Sequence, residues 1–499
     1  MRKTKPSPPR AGSPPVLIAL DRRSRVPLQR QIYSALRQAI LAGRLRPGSR
    51  VPASRTLADD LRVSRTTVVL AYESLETEGY ITGRGSAGSF VASILVDSPR
   101  ATRSARVRDA GLDAATRRAM ELARVAGGLP HVRPSPVPFR IGEPALDLFP
   151  ARLWARLYAR RARRSGAVLL GYGSDHGYRP LRTAIADYVS AARGVNATAD
   201  QVILTRGTQQ AVHLASHALL SPGDEAWVED PGYLAARTLL TAAGATIVPV
   251  PVDAQGLIVD EGVRRAPRAR LAHVSPSHQF PLGATLSLAR RLALLDWAGA
   301  AGAWILEDDY DSEFRYVGSP IPSLQGLDTR DRVIYLGTFS KTMFPALRLG
   351  YLIVPPSLVD LVRAAQSLTD HLAPSLEQAT LAEFIEDGHF TRHVRTMRDA
   401  YAHRQEAVLR GVRRDLGDLV DATAAETGMH LVAWLRKGEA DDAAISRRAR
   451  DAGVEAAPLS LYAVDARVPP GLLLGFAAVR PVDVGGGLRT LRRAIRSSP

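Results

Sequence analysis

The chain has 499 residues, 66 Lys/Arg against 49 Asp/Glu, 45% hydrophobic residues and no cysteine. That length accommodates two or three domains and a large core; the lack of cysteine excludes disulfides and thiolate metal sites, and no metal centre is expected. No apolar run approaches the roughly 20 residues of a membrane span, and Val16 to Leu20 is too short for a signal-peptide core, so a cytoplasmic protein with no membrane partner is expected.

The net charge of +17 is unevenly placed. Residues 1–93 carry 16 Lys/Arg against 6 Asp/Glu and residues 94–138 carry 8 against 4, which leaves the remaining 361 residues close to neutral. A basic front end on a near-neutral body is the electrostatic footprint of phosphate-backbone binding.

Residues 1–24, opening MRKTKPSPPRAGSPP, have the basic, Pro/Ser-rich composition of a disordered tail. Pro27 then opens a helical pattern carried by Leu28, Ile32, Leu36, Ile40 and Leu41 and stopped by Gly43. Ser54 is placed to cap a short helix with Leu57, Ala58 and Leu61. After the turn Arg62-Val63, Ser64 is placed to cap a second, with Val68, Tyr72 and Leu75 on its inner face. That pattern is a helix-turn-helix presenting Arg65, Thr66 and Thr67 at the start of its second helix. Tyr80–Thr82 and Ser89–Val91 read as two strands of a hairpin wing, joined by a glycine-rich turn that carries Arg84.

The run PLQRQIYSALRQAILAGRLRPGSRVPASRTLADDLRVSRTTVVLAYESLETEGYI resembles the winged-helix domain of GntR-type bacterial regulators. The resemblance implies a double-stranded DNA partner contacted by Arg55, Arg65, Thr66 and Thr67, with the wing around Arg84 and Gly85 reaching the minor groove. Arg65 is the expected base reader, since a forked guanidinium suits the guanine edge.

Residues 94–138 turn to Arg, Ala, Pro and Gly, with one weakly helical piece over 113–125, and read as a mobile linker. Beyond Phe139 strand and helix alternate in the manner of an α/β protein. Phe139–Pro150 is expected to be an extended arm and Pro180–Ala192 a helix. Val202–Thr205, Glu225–Val228, Leu271–Val274, Ala303–Leu306 and Val333–Leu336 are expected strands. The first is followed by a turn, Arg206-Gly207-Thr208-Gln209-Gln210, whose free amides could hold an anion. His278 by itself reads as structural.

The last two strands end in EDDY and GTFSK. Only Lys3, Lys5, Lys341 and Lys437 are lysines in this arginine-rich chain. A lysine in an apolar-flanked loop therefore points to a need for a deprotonatable primary amine, which arginine cannot supply. Such amines form Schiff bases with carbonyl compounds, pyridoxal phosphate above all, a cofactor that also needs a carboxylate beside its pyridine nitrogen. Asp308 is the candidate carboxylate, Tyr310 a candidate partner of the ring hydroxyl, and Thr338, Ser340 and Arg348 candidate phosphate ligands.

The order of these segments resembles a fold-type I pyridoxal phosphate enzyme of the aspartate aminotransferase superfamily. The resemblance implies that Lys341 is the Schiff-base lysine, Asp308 the pyridinium partner and Tyr310 the partner of the ring hydroxyl. It implies further that Tyr233 stacks on the ring, that Gly207, Thr208, Gln209, Thr338, Ser340 and Arg348 surround the phosphate, and that Tyr172 reaches a partner subunit's phosphate in a homodimer. Together the two halves resemble the MocR/GabR family of bacterial regulators.

The expected architecture is α/β: a winged helix-turn-helix over residues 25–93, a linker over 94–138, and over 139–499 an aminotransferase-like domain with a mainly parallel sheet and a smaller C-terminal α+β subdomain. The superfamily holds a substrate carboxylate with an arginine in a C-terminal strand. Here that strand reads Leu472-Leu473-Leu474-Gly475-Phe476, with Arg480 beyond it. The expected function is thus regulation of a metabolic operon, of vitamin B6 or amino compounds, by a nucleoid-associated protein that senses pyridoxal phosphate or an amine or amino acid. The alternatives are an aminotransferase with a vestigial DNA-binding domain, and a DNA-binding protein with an empty pocket.

Overall fold

The computed structural model describes residues 18–22, 24, 26–92, 120, 123, 137–164, 166–171, 174, 176–318, 321–369, 374–436 and 440–497. The chain divides into two compact units, Met1–Gly111 and Leu112–Pro499. Among the described residues no helix is long and apolar enough to cross a membrane.

In the first unit, apolar residues at helical spacing form α1 (Leu28–Leu41), α2 (Ser54–Leu61) and α3 (Arg65–Thr77), followed by the antiparallel pair β1 (Ile81–Gly83) and β2 (Ser89–Val91). Ile32, Leu36, Leu57, Val68, Tyr72 and Leu75 converge with Ile81 and Val91 in one core. Leu41, the last residue of the helical pattern, is 42% exposed, and the buried stripe passes through Ala39 and Ile40. Arg62 closes α2 in the left-handed conformation (φ 52°), which makes the sharp turn. Ser64 then caps α3, its Oγ accepting from the Thr67 amide at 3.1 Å. The cap expected at Ser54 is not formed: α2 starts at Ser54 itself, behind Ala53, with no side-chain cap.

Of the tail, residues from Ile18 are described. Ile18 and Leu20 pack on the core, and the Arg22 guanidinium donates to the carbonyls of Leu61 and Arg62 at 3.2 and 2.8 Å. Most of the expected linker lies outside the described residues; Met120 and Ala123, within its predicted helical piece, are helical.

The second unit is built on an eight-stranded sheet. Its strands are β3 (Val202–Thr205), β4 (Glu225–Asp230), β5 (Thr246–Asp253), β6 (Gly256–Leu257), β7 (Leu271–Val274), β8 (Trp304–Asp309), β9 (Val333–Thr338) and β10 (Gly350–Ile353), in the order β3-β10-β9-β8-β7-β4-β5-β6. Strands β9, β8, β7, β4 and β5 are parallel, whereas β10 and β6 are antiparallel to their neighbours. Both faces are covered, so the strands are apolar on both. Leu306, Ile334, Leu336 and Leu352 pack with Ala211, Val212 and Ala215 on one side, while Leu204, Tyr335 and Ile353 join a different core. A smaller antiparallel sheet, β11 (Val420–Ala422), β12 (His430–Leu435), β14 (Gly471–Gly475) and β13 (Ala457–Pro458), follows the 28-residue helix His389–Leu416.

Two expectations are corrected here. Strands β8 and β9 outrun their apolar stretches, so Asp308 and Asp309 still pair in register with Leu336 and Gly337. Phe139–Pro150 is no extended arm: it folds into turns and a short 3-10 helix, Leu146–Leu148. Phe139 is fully buried, against a spot where a Cβ on Gly487 would stand 2.6 Å from its ring. The Phe139 carbonyl accepts from the Gly475 amide at 2.9 Å, and a side chain at Gly475 would collide with the Arg140 carbonyl. Glycine in β14 thus lets residues 139–142 cross the small sheet closely.

Strand alternation sends Glu307 and Asp309 into a buried polar layer. Arg193, at the end of the helix Arg179–Arg193, donates through Nε to Asp309 Oδ2 at 2.8 Å and through Nη2 to Ser277 Oγ at 2.6 Å. The Tyr335 hydroxyl donates to the same carboxylate at 2.6 Å. Burial alone would raise the Asp309 pKa, but the Arg193 charge and these donors hold it below the usual range. Glu307 accepts from the amides of Leu324 and Gln325 at 2.7 and 2.8 Å, and burial pushes it up to about 7. Glu229, in β4, accepts from the Ser275 amide at 3.2 Å and is pushed up to about 8 by burial.

Arg193→Met leaves the Asp309 charge buried without its cation and should destabilise this unit by about 3–5 kcal/mol. The five tryptophans, Trp154, Trp227, Trp297, Trp304 and Trp434, all lie in the second unit, so their fluorescence during urea denaturation reports it separately, and an unmoved midpoint would refute the assignment. Glu229 carries the opposite sign. Its folded carboxyl holds a proton more tightly than the ordinary value of 4.5 allows, so its contribution to stability declines as pH rises from 4.5 to about 8. Glu229→Gln should flatten the pH dependence of the denaturation midpoint across that window.

Candidate functional site

Strands β8 and β9 run parallel and deliver their carboxyl ends to one edge, where a cavity of about 470 Å³ opens. Ten of the eleven residues expected at the cofactor line this one cavity: Gly207, Thr208, Gln209, Tyr233, Asp308, Tyr310, Thr338, Ser340, Lys341 and Arg348. Tyr172 lies outside the described residues.

Lys341 sits in a single helical turn, Phe339–Thr342, and its Nζ donates to the Gly142 carbonyl at 2.8 Å. Burial lowers its pKa, opposed by the carboxylates of Asp311, Asp308 and Glu143. Asp308 is buried; its Oδ2 is 3.5 Å from His273 Nε2, and its Oδ1 has no hydrogen-bond partner among the described residues. The Tyr310 hydroxyl lies 2.9 Å from His278 Nδ1 rather than spare in the cavity, and burial pushes the phenol well above its ordinary value. The Tyr233 ring lies tilted 31° from His273 at 6.4 Å and edge-on to Phe280 at 6.0 Å.

At the other end of the cavity Gly207 has φ 107°, open to glycine and strained for other residues, and precedes the helix Thr208–Leu219. A Cβ there would stand 3.8 Å from Arg348 Nη1, which places the guanidinium beside the helix start. Arg348 itself is left-handed (φ 51°). Thr338 caps the lysine turn, its Oγ1 accepting from the Ser340 amide at 3.2 Å. The Arg206 amide of this turn is already given to Gln210 Oε1 at 2.7 Å, which leaves the helix start at Thr208, the Ser340 hydroxyl and the Arg348 fork as the groups suited to an anion.

The far wall was not legible in the sequence. Arg140 from the Phe139 segment, His430 from β12, Arg450 from the helix Asp442–Asp451, Glu455 from the loop after it and Tyr462 from the 3-10 turn Leu459–Tyr462 also line the cavity, and no local motif marks them. Arg140 Nε donates to Glu455 Oε2 at 2.9 Å, and its Nη1 is 3.8 Å from Glu143. Leu472, Leu473 and Leu474 are fully buried in β14, and Arg480 is an exposed residue whose Nε donates to Asp483 at 2.7 Å. Neither that strand nor Arg480 offers the cavity a cation.

On the first unit, Arg55, Arg65, Thr66, Arg84 and Gly85 are exposed. Thr67 is half-buried, and its hydroxyl lies 2.7 Å from Ser64 Oγ within the cap, so it is less free than its neighbours. The Arg84 guanidinium lies over the Phe90 ring at 4.9 Å.

The family of bacterial regulatory proteins named gntR matches residues 28–91, and aminotransferase class I and II matches residues 137–473. The chain is 41% identical over 478 residues to the probable rhizopine catabolism regulatory protein MocR of Rhizobium meliloti, covering 96% of each. It is 30% identical to the HTH-type pyridoxine biosynthesis transcriptional regulator PdxR of Corynebacterium glutamicum, covering 92% of this chain and 94% of that one. Among solved structures, LysN, an α-aminoadipate aminotransferase from Thermus thermophilus complexed with N-(5'-phosphopyridoxyl)-L-leucine, matches with a TM-score of 0.65 at 29% identity, over 75% of this chain and 94% of that one. The chain belongs to the MocR family of DNA-binding transcriptional regulators, a gntR-type helix-turn-helix joined to an aminotransferase class I and II domain.

Proposed function

We propose that pyridoxal 5'-phosphate is held in the cavity through Lys341, and that the chain regulates a metabolic operon in response to that cofactor or to an amine or amino acid that reacts with it. The observation that carries this reading is the placing of Lys341, its Nζ held at 2.8 Å by the Gly142 carbonyl, at the same cavity as a buried Asp308 oxygen left without a partner among the described residues. An orphaned carboxylate oxygen is costly unless a ligand donates to it, and a protonated pyridine nitrogen is such a donor.

The residues fit the cofactor. The amides after Gly207, the Ser340 hydroxyl and the Arg348 fork suit a phosphate dianion; Tyr233 would offer a flat face to the ring, Asp308 would accept from the ring nitrogen, and Tyr310 would serve the ring hydroxyl. When bound, the cofactor supplies an aldehyde that condenses with primary amines. Desolvation lowers the Lys341 pKa and so favours the uncharged, nucleophilic amine, while Asp311, Asp308 and Glu143 oppose that shift. Tyr172 would reach a partner subunit's phosphate in a homodimer, acting at the chromosome in the cytoplasm. The relatives named for rhizopine catabolism and pyridoxine biosynthesis support an operon of amino-compound or vitamin B6 metabolism.

Binding without turnover is favoured because β14 is leucine where a carboxylate clamp would stand, and Arg140 is already committed to Glu455. The rival reading, an aminotransferase with a vestigial DNA-binding domain, draws on the match over residues 137–473. In the regulator, the ligand acts through its different affinity for two arrangements of the domains.

The purified chain given pyridoxal phosphate should gain an absorbance band near the visible edge, lost on borohydride treatment with a mass adduct on the Lys341 peptide, and absent in Lys341→Ala. Material that stays colourless without an adduct refutes the cofactor reading. Separately, Arg65→Ala should weaken binding to the chain's own upstream DNA by about 1–3 kcal/mol in a gel shift while the band persists. Equal retardation of wild type and variant would remove Arg65 from base readout, and turnover of an amino donor with no retarded DNA would favour the rival.

A further inference from the structure

His278 Nδ1 lies 2.9 Å from Asp311 Oδ1 and also 2.9 Å from the Tyr310 hydroxyl. Two contacts on one nitrogen fix where the hydrogens go. A carboxylate only accepts, so the Asp311 contact requires a hydrogen on Nδ1, in the neutral and the doubly protonated ring alike. A nitrogen bearing that hydrogen cannot accept from a phenol. The Tyr310 oxygen therefore shares the Nδ1 hydrogen as a second acceptor, and its own hydrogen is turned away from His278. Tyr310 lines the cavity beside Asp308 and Lys341.

The dyad is held rigidly. His278 and Asp311 are both buried, and the Gly428 backbone lies so close that a side chain there would collide with the imidazole. Besides Asp311, the charged and titratable groups acting on Tyr310 are Asp308, Asp309 and Glu229 from the large sheet; His430 of β12 faces His278, and Lys341 shares the cavity with Tyr310 and acts on His430. The His430 ring is 5.4 Å from that of His278. Burial, then the neighbouring His278, pushes His430 down to about 4, so it stays neutral, and its Nε2 is spent on the Pro281 carbonyl at 3.0 Å.

We propose that His278 and Asp311 are positioning residues that hold Tyr310 as a hydrogen-bond donor into the cavity, aimed at the ring hydroxyl oxygen of the cofactor. This rests on the cofactor reading above. Asp311→Asn frees the imidazole to invert its tautomer, so that Tyr310 turns its hydrogen onto Nδ1 and the cavity loses a donor.

The test is a double-mutant cycle on full-length protein loaded with pyridoxal phosphate, reading the pH midpoint of the visible band in wild type, Asp311→Asn, Tyr310→Phe and the double variant. Losing the Asp311 charge lowers the midpoint in every background. Losing the Tyr310 donor raises it. The shift caused by Asp311→Asn should therefore be more positive by at least about one pH unit, tenfold in the proton equilibrium, when Tyr310 is present than in the Tyr310→Phe background. Equal shifts in both backgrounds would reduce the dyad to a plain charge and overturn the proposal. Should Asp311→Asn fail to fold, ring-nitrogen NMR of wild type labelled with ¹⁵N-histidine decides: His278 must carry hydrogen on Nδ1, and an unprotonated Nδ1 overturns the proposal. That spectrum needs no cofactor. A wild type that never takes up the chromophore but shows Nδ1–H therefore counts against the cavity assignment and leaves the orientation of Tyr310 standing.

Discussion

The two-residue period of β8 divides three consecutive acids between two environments, and the rest of the second unit is arranged around that division. Glu307 and Asp309 point into the layer where the Leu324 and Gln325 amides, Arg193 and Tyr335 receive them. Asp308 points the other way, into the cavity, with one oxygen unmet. A slip of one residue in the register with β9 would exchange these roles, putting Asp309 at the cavity and leaving Arg193 buried without its anion. The ion pair beneath the sheet is thus a register lock for the carboxylate above it.

Close backbone crossings hold the lysine opposite that carboxylate. Gly475 admits residues 139–141 against β14, and the following carbonyl, Gly142, accepts from Lys341 Nζ at 2.8 Å. A partly desolvated lysine needs an acceptor for its hydrogens, and a single carbonyl provides one without fixing a charge on the amine as a directly paired carboxylate would. The amine is held in place and remains able to leave.

Much of this was legible because it is local. The strands β3 and β7 begin and end where their apolar runs do, the cap at Ser64 follows from a serine before a helical run, and the rarity of lysine singles out Lys341. What escaped was set by contacts between distant segments. Strands β8 and β9 outlast their apolar stretches because buried partners satisfy polar side chains that the sequence alone assigns to a loop. Phe139 buries itself in a niche made by Gly487, more than 300 residues later, so a Pro-rich segment that reads as an extended arm becomes part of the core. That the Thr67 hydroxyl lies 2.7 Å from Ser64 Oγ within the cap is a matter of local geometry that residue type does not show. His278 reads as a structural histidine on its own; only Asp311 and Tyr310, brought to the same nitrogen, give it a direction.

The charge distribution separates the two tasks. Phosphate-backbone attraction is long-ranged and additive, so a basic front end can serve it without burying its charges; Arg55, Arg65 and Arg84 are exposed. Selecting a small ligand needs the reverse: few charges, desolvated, each with a fixed partner. The far wall of the cavity obeys that rule, since Arg140 is balanced by Glu455 and Glu143 rather than left as a bare cation. A ligand entering there meets directional donors and acceptors more than net charge. Attraction to DNA through exposed basic side chains is screened by salt, whereas contacts made by desolvated and partnered groups are screened much less.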